Sequence, residues 1–137
     1  MKLKWWLAAI VNNEIVGRNV VADSLNELRS RISAFVEERD WAQFHTPKNL
    51  AMAMIVEAAE LVEQFQWDTA QESQQLTTDK RTAVSHELAD TFVYLLRIAE
   101  VLQIDLIEAA NEKIELNAKK YPADKVRGSN AKYTKYV

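Results

Sequence analysis

Apolar residues recur at helical spacing along most of the chain. Leu25, Leu28, Ile32, Phe35 and Val36 repeat every three or four positions, the mark of a helix with one buried face. Ser24-Leu25-Asn26-Glu27 reads as a capping box, in which side chains satisfy the free donors of a helix start. The pattern predicts a first helix from residue 24 to about residue 40. Residues 41–45 break the period and read as a loop. Thr46-Pro47 is a second start signal, because the first helical turn does not need the N–H that proline lacks. A second helix is expected from there to about Trp67. Polar residues 68–78 read as another loop, and a third helix follows from about Asp79 to Leu102. Asp105-Leu106-Ile107-Glu108 resembles a further cap, opening a fourth helix that stops before Tyr121-Pro122. The tail through Gly128-Ser129-Asn130 is polar and basic, and is expected to lie loose or over a neighbour.

Residues 1–22 follow a different pattern. Trp5, Trp6, Ile10, Val11, Ile15, Val16, Val20 and Val21 favour strands, with Asn12-Asn13 as a turn between them. A short hairpin or extended arm is predicted there, ahead of one helical domain over residues 23–137. The chain has 137 residues with only two Gly and two Pro, so breakers are scarce and a turn-rich β fold is disfavoured. Four helices with short connections predict an all-α bundle.

Composition narrows the partners. The net charge of −3 argues against binding a nucleic acid polymer, whose phosphates call for a basic surface. With no cysteine, disulfides and thiolate metal sites are impossible, which fits a reducing compartment. No apolar run approaches the roughly 18–20 residues of a membrane span. The stretch KLKWWLAAIV resembles a weak signal peptide but reaches Asn12, Asn13 and Glu14 without a small-residue cleavage site. It is read as structural, and the expected compartment is the cytoplasm.

The second helix poses the chemical question. Leu50, Met52, Met54, Ile55, Val56, Leu61, Val62 and Phe65 make it apolar nearly all round, so it is expected to be central. Yet Glu57, Glu60 and Glu63 are set among those residues, and a buried unpaired carboxylate is costly. Glu57 and Glu60, three apart, project from neighbouring positions on one face. The third helix repeats the device, with Glu87 and Asp90 among Val84, Leu88, Phe92, Leu95, Leu96 and Ile98. Two such helices side by side bring four carboxylates to one cavity. Alone these repel one another; around a hard divalent cation they become the oxygen cage that Mg²⁺ or Mn²⁺ prefers. Solvated acids on exposed helix faces are the plain alternative. Glu63 is assigned to the rim.

EAAELVEQFQW at 57–67 and HELADTFVYLL at 86–96 carry an E-x-x-E…E-x-x-D pattern. It resembles the signature of the MazG-like all-α nucleoside triphosphate pyrophosphohydrolases, and within them the dCTP pyrophosphatase branch. ERDWAQFHTPKNL at 38–50 and KIELNAKKYP at 113–122 support the resemblance, which spans about residue 24 to the C-terminus. Residues 1–22 match nothing in it. The resemblance implies a four-helix fold and cleavage of a (d)NTP between its α- and β-phosphates. Glu57, Glu60, Glu87 and Asp90 would hold Mg²⁺, or Mn²⁺, with one of the first pair also taking a proton from the attacking water. On the same footing, Lys113 and Lys120 would meet phosphates and Asn117 phosphate or sugar, with Tyr121 beside them. Trp41, His45 and Trp67 would lie near the base. Lys119 and Lys120 stand where relatives often carry Arg, which puts any two-pronged contact there in doubt. His86 completes no H-E-x-x-H, because Asp90 occupies the second His position.

Two other classes compete with the enzyme. A di-iron carboxylate bundle uses Glu-x-x-His pairs, which neither acid pair supplies. A non-catalytic helical interaction module would need no cation. The apolar residues left over by one small bundle, Trp5 and Trp6 among them, predict a homo-oligomer; the resemblance implies a tetramer or a dimer.

Overall fold

A computed structural model describes residues 24–130; the arm expected over residues 1–22 lies outside the described residues. Helix α1 runs over 24–37, α2 over Pro47–Glu63, α3 over Thr78–Val101 and α4 over Leu106–Lys120, followed by a short α5 at Ala123–Val126. Among the described residues the fold is all-helical, as the spacing predicts. Two differences are local. The loops at 41–45 and 68–78 contain 3-10 turns at Ala42–Phe44 and Glu72–Gln74. Helix α2 stops at Glu63, and residues 64–67 form turns rather than its last helical turn. The tail beyond Tyr121 also carries α5, which Pro122 opens as its N-cap.

With few glycines, the chain ends its helices by another device. After α1, Asp40 takes a left-handed conformation at φ 52°. The Trp41 amide donates to the Val36 carbonyl at 3.0 Å, and the Asp40 amide donates to the Glu37 carbonyl at 3.0 Å. This is a Schellman closure built on Asp instead of Gly. α3 ends the same way, with Gln103 at φ 56° and the Ile104 amide on the Ala99 carbonyl at 2.8 Å. The starts of α2 and α4 follow the sequence signals. Thr46 Oγ1 accepts from the Asn49 amide at 3.2 Å, and Asp105 accepts from the Ile107 and Glu108 amides.

The chain divides into two compact units, Met1–Ile98 and Ala99–Val137. In the first, Val36, Leu50, Val84 and Leu96 are buried and form the core. α2 is less enclosed than its composition predicts. Leu50 is buried, but Met52, Ile55, Val56 and Val62 are each more than half exposed. A helix that is apolar all round needs neighbours all round, and the described part of this unit covers the Leu50 side. The uncovered residues, spaced i, i+3, i+4 and i+10, form one stripe on the opposite side. In the second unit Ala99 is buried, while Ile107, Ile114 and Leu116 of α4 are exposed.

Candidate active site

α2 and α3 bring three acids together. Glu57, Glu87 and Asp90 each offer a carboxylate oxygen lying within 4.8 Å of the other two. Each acid stands on a continuous helix, so the backbone holds the cluster without any loop. Glu57 is half-buried at this junction, and its carboxyl is held above the ordinary range. Burial is the main cause, followed by the negative charges of Glu60, Asp90 and Glu87. Glu60 is therefore a neighbour of the cluster, although its side chain is exposed and it is not one of the three. The donor set is all oxygen. Ligands on opposite sides of a hard divalent ion lie about 4–5 Å apart, so these side chains suit such an ion.

Further along α3 lies a pocket. Ile32, Phe35 and Val36 of α1, Trp41 and His45 of the following connection, and Val93, Tyr94 and Arg97 of α3 line about 100 Å³. Local folding explains why Trp41 is there. The Schellman closure at Asp40 turns the chain back on α1, and Trp41 meets Phe35 edge to face, with ring centroids 5.8 Å apart. The Arg39 guanidinium covers Phe35 at 3.6 Å, so the aromatic wall is held from two sides. Gln43 Nε2 donates to the Asp40 carbonyl and carboxylate at 2.9 Å each, and Asn49 Nδ2 donates to the Phe44 carbonyl at 3.0 Å. Those bonds fix the 40–49 connection and, with it, His45. The His45 imidazole accepts at Nδ1 from Arg97 Nε at 3.2 Å. Burial, and secondarily the Arg97 charge, hold its pKa below the usual histidine value.

The remaining sequence-predicted residues are neither among the three clustered acids nor in this pocket's lining. Trp67 is 88% exposed in the turn after α2. That turn is tied to α3 by Lys80, whose Nζ donates to both Asp68 carboxylate oxygens at 2.6 and 2.5 Å and sits 5.4 Å from the Phe65 ring centroid. Lys113, Asn117 and Lys120 are exposed along α4 in the second unit. Tyr121 caps that helix, its amide donating to the Asn117 carbonyl at 2.8 Å, and Lys120 Nζ lies 6.0 Å from the Tyr121 ring. Arg97 is the residue that sequence reasoning missed. A signal for it existed: Glu87, Asp90, Tyr94 and Arg97 fall at i, i+3, i+7 and i+10, one stripe of α3.

Comparison with known proteins places the chain in a family. The profile of the MazG-like family matches residues 52–135, which include all four acids. The chain belongs to the MazG-like family. Among relatives of this MazG-like chain, human dCTP pyrophosphatase 1 is 40% identical over 113 residues, covering 81% of this chain and 66% of the human protein. The bovine protein of the same name is 39% identical, with 81% and 67% covered. The chain thus spans about two thirds of the length of these curated relatives. The crystal structure of a pyrophosphatase from Archaeoglobus fulgidus superposes with a TM-score of 0.69 at 39% identity, covering 72% of this chain and 93% of that one.

Proposed function

We propose that this chain hydrolyses deoxynucleoside triphosphates, dCTP or modified relatives of it, to the monophosphate and pyrophosphate, in clearance of the nucleotide pool. One observation carries the reading. Glu87, Asp90, Tyr94 and Arg97 share one stripe of α3, so an acid cluster that suits a cation and an aromatic pocket lie along one helix face. A rise of 1.5 Å per residue separates Asp90 from Arg97 by ~10 Å, a separation on the scale of one nucleotide. The pocket's aromatic walls, Phe35, Trp41 and Tyr94, suit a flat base. The preference for cytosine rests on relatives named for dCTP.

Glu57, Glu87 and Asp90 are the proposed ligands of Mg²⁺, with Mn²⁺ as a substitute. When bound, the cation offsets phosphate charge and acidifies water. Glu60, close to the cluster but outside it, is assigned the proton of the attacking water. Water adds at phosphorus, the α–β anhydride bond breaks, and pyrophosphate leaves. Trp41 offers its ring face to the base, and Trp67 is a second proposed base contact. The proposal for Lys113 and Lys120 on phosphates, for Asn117 on phosphate or sugar and for Tyr121 beside them rests on the KIELNAKKYP stretch. The uncovered stripe of α2 supports a homo-oligomer; the proposed tetramer, with a dimer as its alternative, rests on the family resemblance. The cytoplasm, where nucleotides turn over, is the compartment this reading expects.

Purified protein given a panel of ribo- and deoxynucleoside triphosphates with Mg²⁺ should release pyrophosphate, fastest from dCTP. Release of single phosphate, or no turnover of any nucleotide, would sink the proposal. Glu60→Gln should lower kcat by roughly a hundredfold or more, the usual contribution of a general base, with nucleotide binding retained.

A further inference from the structure

Arg97 sits on α3 among Val93, Tyr94, Leu95, Leu96 and Ile98, where a guanidinium needs a reason. Its Nε–H donates to His45 Nδ1 at 3.2 Å, across 52 residues of sequence. Guanidinium groups in proteins are always protonated and only donate. The nitrogen that receives this bond must therefore carry a lone pair. That condition excludes the imidazolium and the neutral tautomer with its proton on Nδ1. A single species is left, neutral imidazole with its proton on Nε2. Both residues line the pocket whose remaining walls are the aliphatic and aromatic side chains of Ile32, Phe35, Val36, Trp41, Val93 and Tyr94.

We propose that Arg97 is a positioning residue, fixing His45 as an Nε2–H donor so that the pocket selects a base edge that presents an acceptor to it. A donor of fixed polarity favours a ligand that presents an acceptor to it, because a ligand without one leaves the N–H unpaired. Cytosine offers such an acceptor in its ring carbonyl. The proposal rests on the pocket being the base site. Burial also lowers the His45 pKa, but burial alone does not choose between the two nitrogens, and Arg97 does.

The chain has only two histidines, so ¹⁵N-histidine NMR of the full-length protein at neutral pH reads the tautomer directly, with His45→Asn assigning the signals. Wild type should show His45 Nδ1 unprotonated and Nε2 protonated without any nucleotide present. Arg97→Leu should give a tautomer mixture or the imidazolium. It should also raise KM for dCTP about tenfold, the equivalent of one hydrogen bond of ~1.4 kcal/mol, with kcat within about threefold. Arg97→Lys, which keeps a donor in a smaller perturbation, should restore the wild-type tautomer and part of the KM; it decides the matter should the Leu variant fail to fold. A protonated Nδ1 in wild type, or identical histidine spectra in wild type and both variants, overturns the proposal. So does an unchanged KM in a variant whose tautomer has shifted. If the wild-type tautomer is as expected and no nucleotide is turned over or bound, the reading of the pocket as a base site fails instead, and the selection step falls with it.

Discussion

At the scale of single residues, charge decides what the acid cluster does. Glu57 is half-buried beside three other acids, and its carboxyl is held above its ordinary range by burial first and by Glu60, Asp90 and Glu87 after it. The folded state thus binds its proton more tightly than the unfolded chain does. In cation-free protein the stability this lends is fully present below the unfolded carboxylate pKa and is lost as pH rises through the folded one. A cation reverses the balance by binding the ionised form. We therefore expect Mg²⁺ to raise the melting temperature at pH 7.5 and to raise it progressively less toward pH 5, followed by scanning calorimetry. Glu57→Gln should melt higher than wild type in chelator at pH 7.5 and gain little from Mg²⁺. Equal gains from Mg²⁺ at both pH values would contradict the cage. The three-residue spacing of these acids is legible in sequence because helical geometry turns spacing directly into direction. The pairing of Arg97 with His45 is not, since it joins residues 52 apart through a tertiary contact that no local pattern encodes.

At the scale of elements, helix starts and helix stops obey different rules. Thr46 and Asp105 cap α2 and α4 through side-chain oxygens, and such caps can be read from residue type alone. The stops of α1 and α3 place Asp40 and Gln103 in left-handed conformations, which L-residues adopt at a cost of roughly 1–2 kcal/mol. Glycine usually signals this closure, and its absence is why the sequence leaves the stops vague. Gln103→Gly removes the strain but raises the entropy of the unfolded chain by about 0.5–1 kcal/mol. The net expectation is stabilisation of up to about 1 kcal/mol in urea unfolding, with an unchanged slope; destabilisation would show that the Gln103 side chain holds something in place. The Asp40 closure matters to the proposed base pocket as well. It turns Trp41 back against Phe35 and so forms one wall of the pocket.

At the scale of the whole molecule, the described residues leave more large apolar side chains exposed than they bury. Met52, Ile55, Val56 and Val62 on α2 and Leu88, Phe92 and Leu95 on α3 are exposed, far more than scattered surface hydrophobes. Helical geometry sets Ile55 on the side of α2 away from Glu57, so a change there tests assembly apart from chemistry. Ile55→Asp should shift sedimentation at micromolar concentration toward a smaller species while leaving the acid cluster intact. A wild-type protein that sediments as a monomer would refute assembly through this stripe.

The four longer helices, the spacing of the acids and family membership are all decided locally. Periodicity, caps and the E-x-x-E…E-x-x-D spacing are properties of short segments, and the sequence by itself determined them. Which acids converge is a different matter, as Glu57, Glu87 and Asp90 do with Glu60 beside them. So are the exposure of one face of α2 and the nitrogen of His45 that meets Arg97. Those required helices to pack, because contact between residues distant in sequence depends on the relative rotation of helices, and no single helix carries that information.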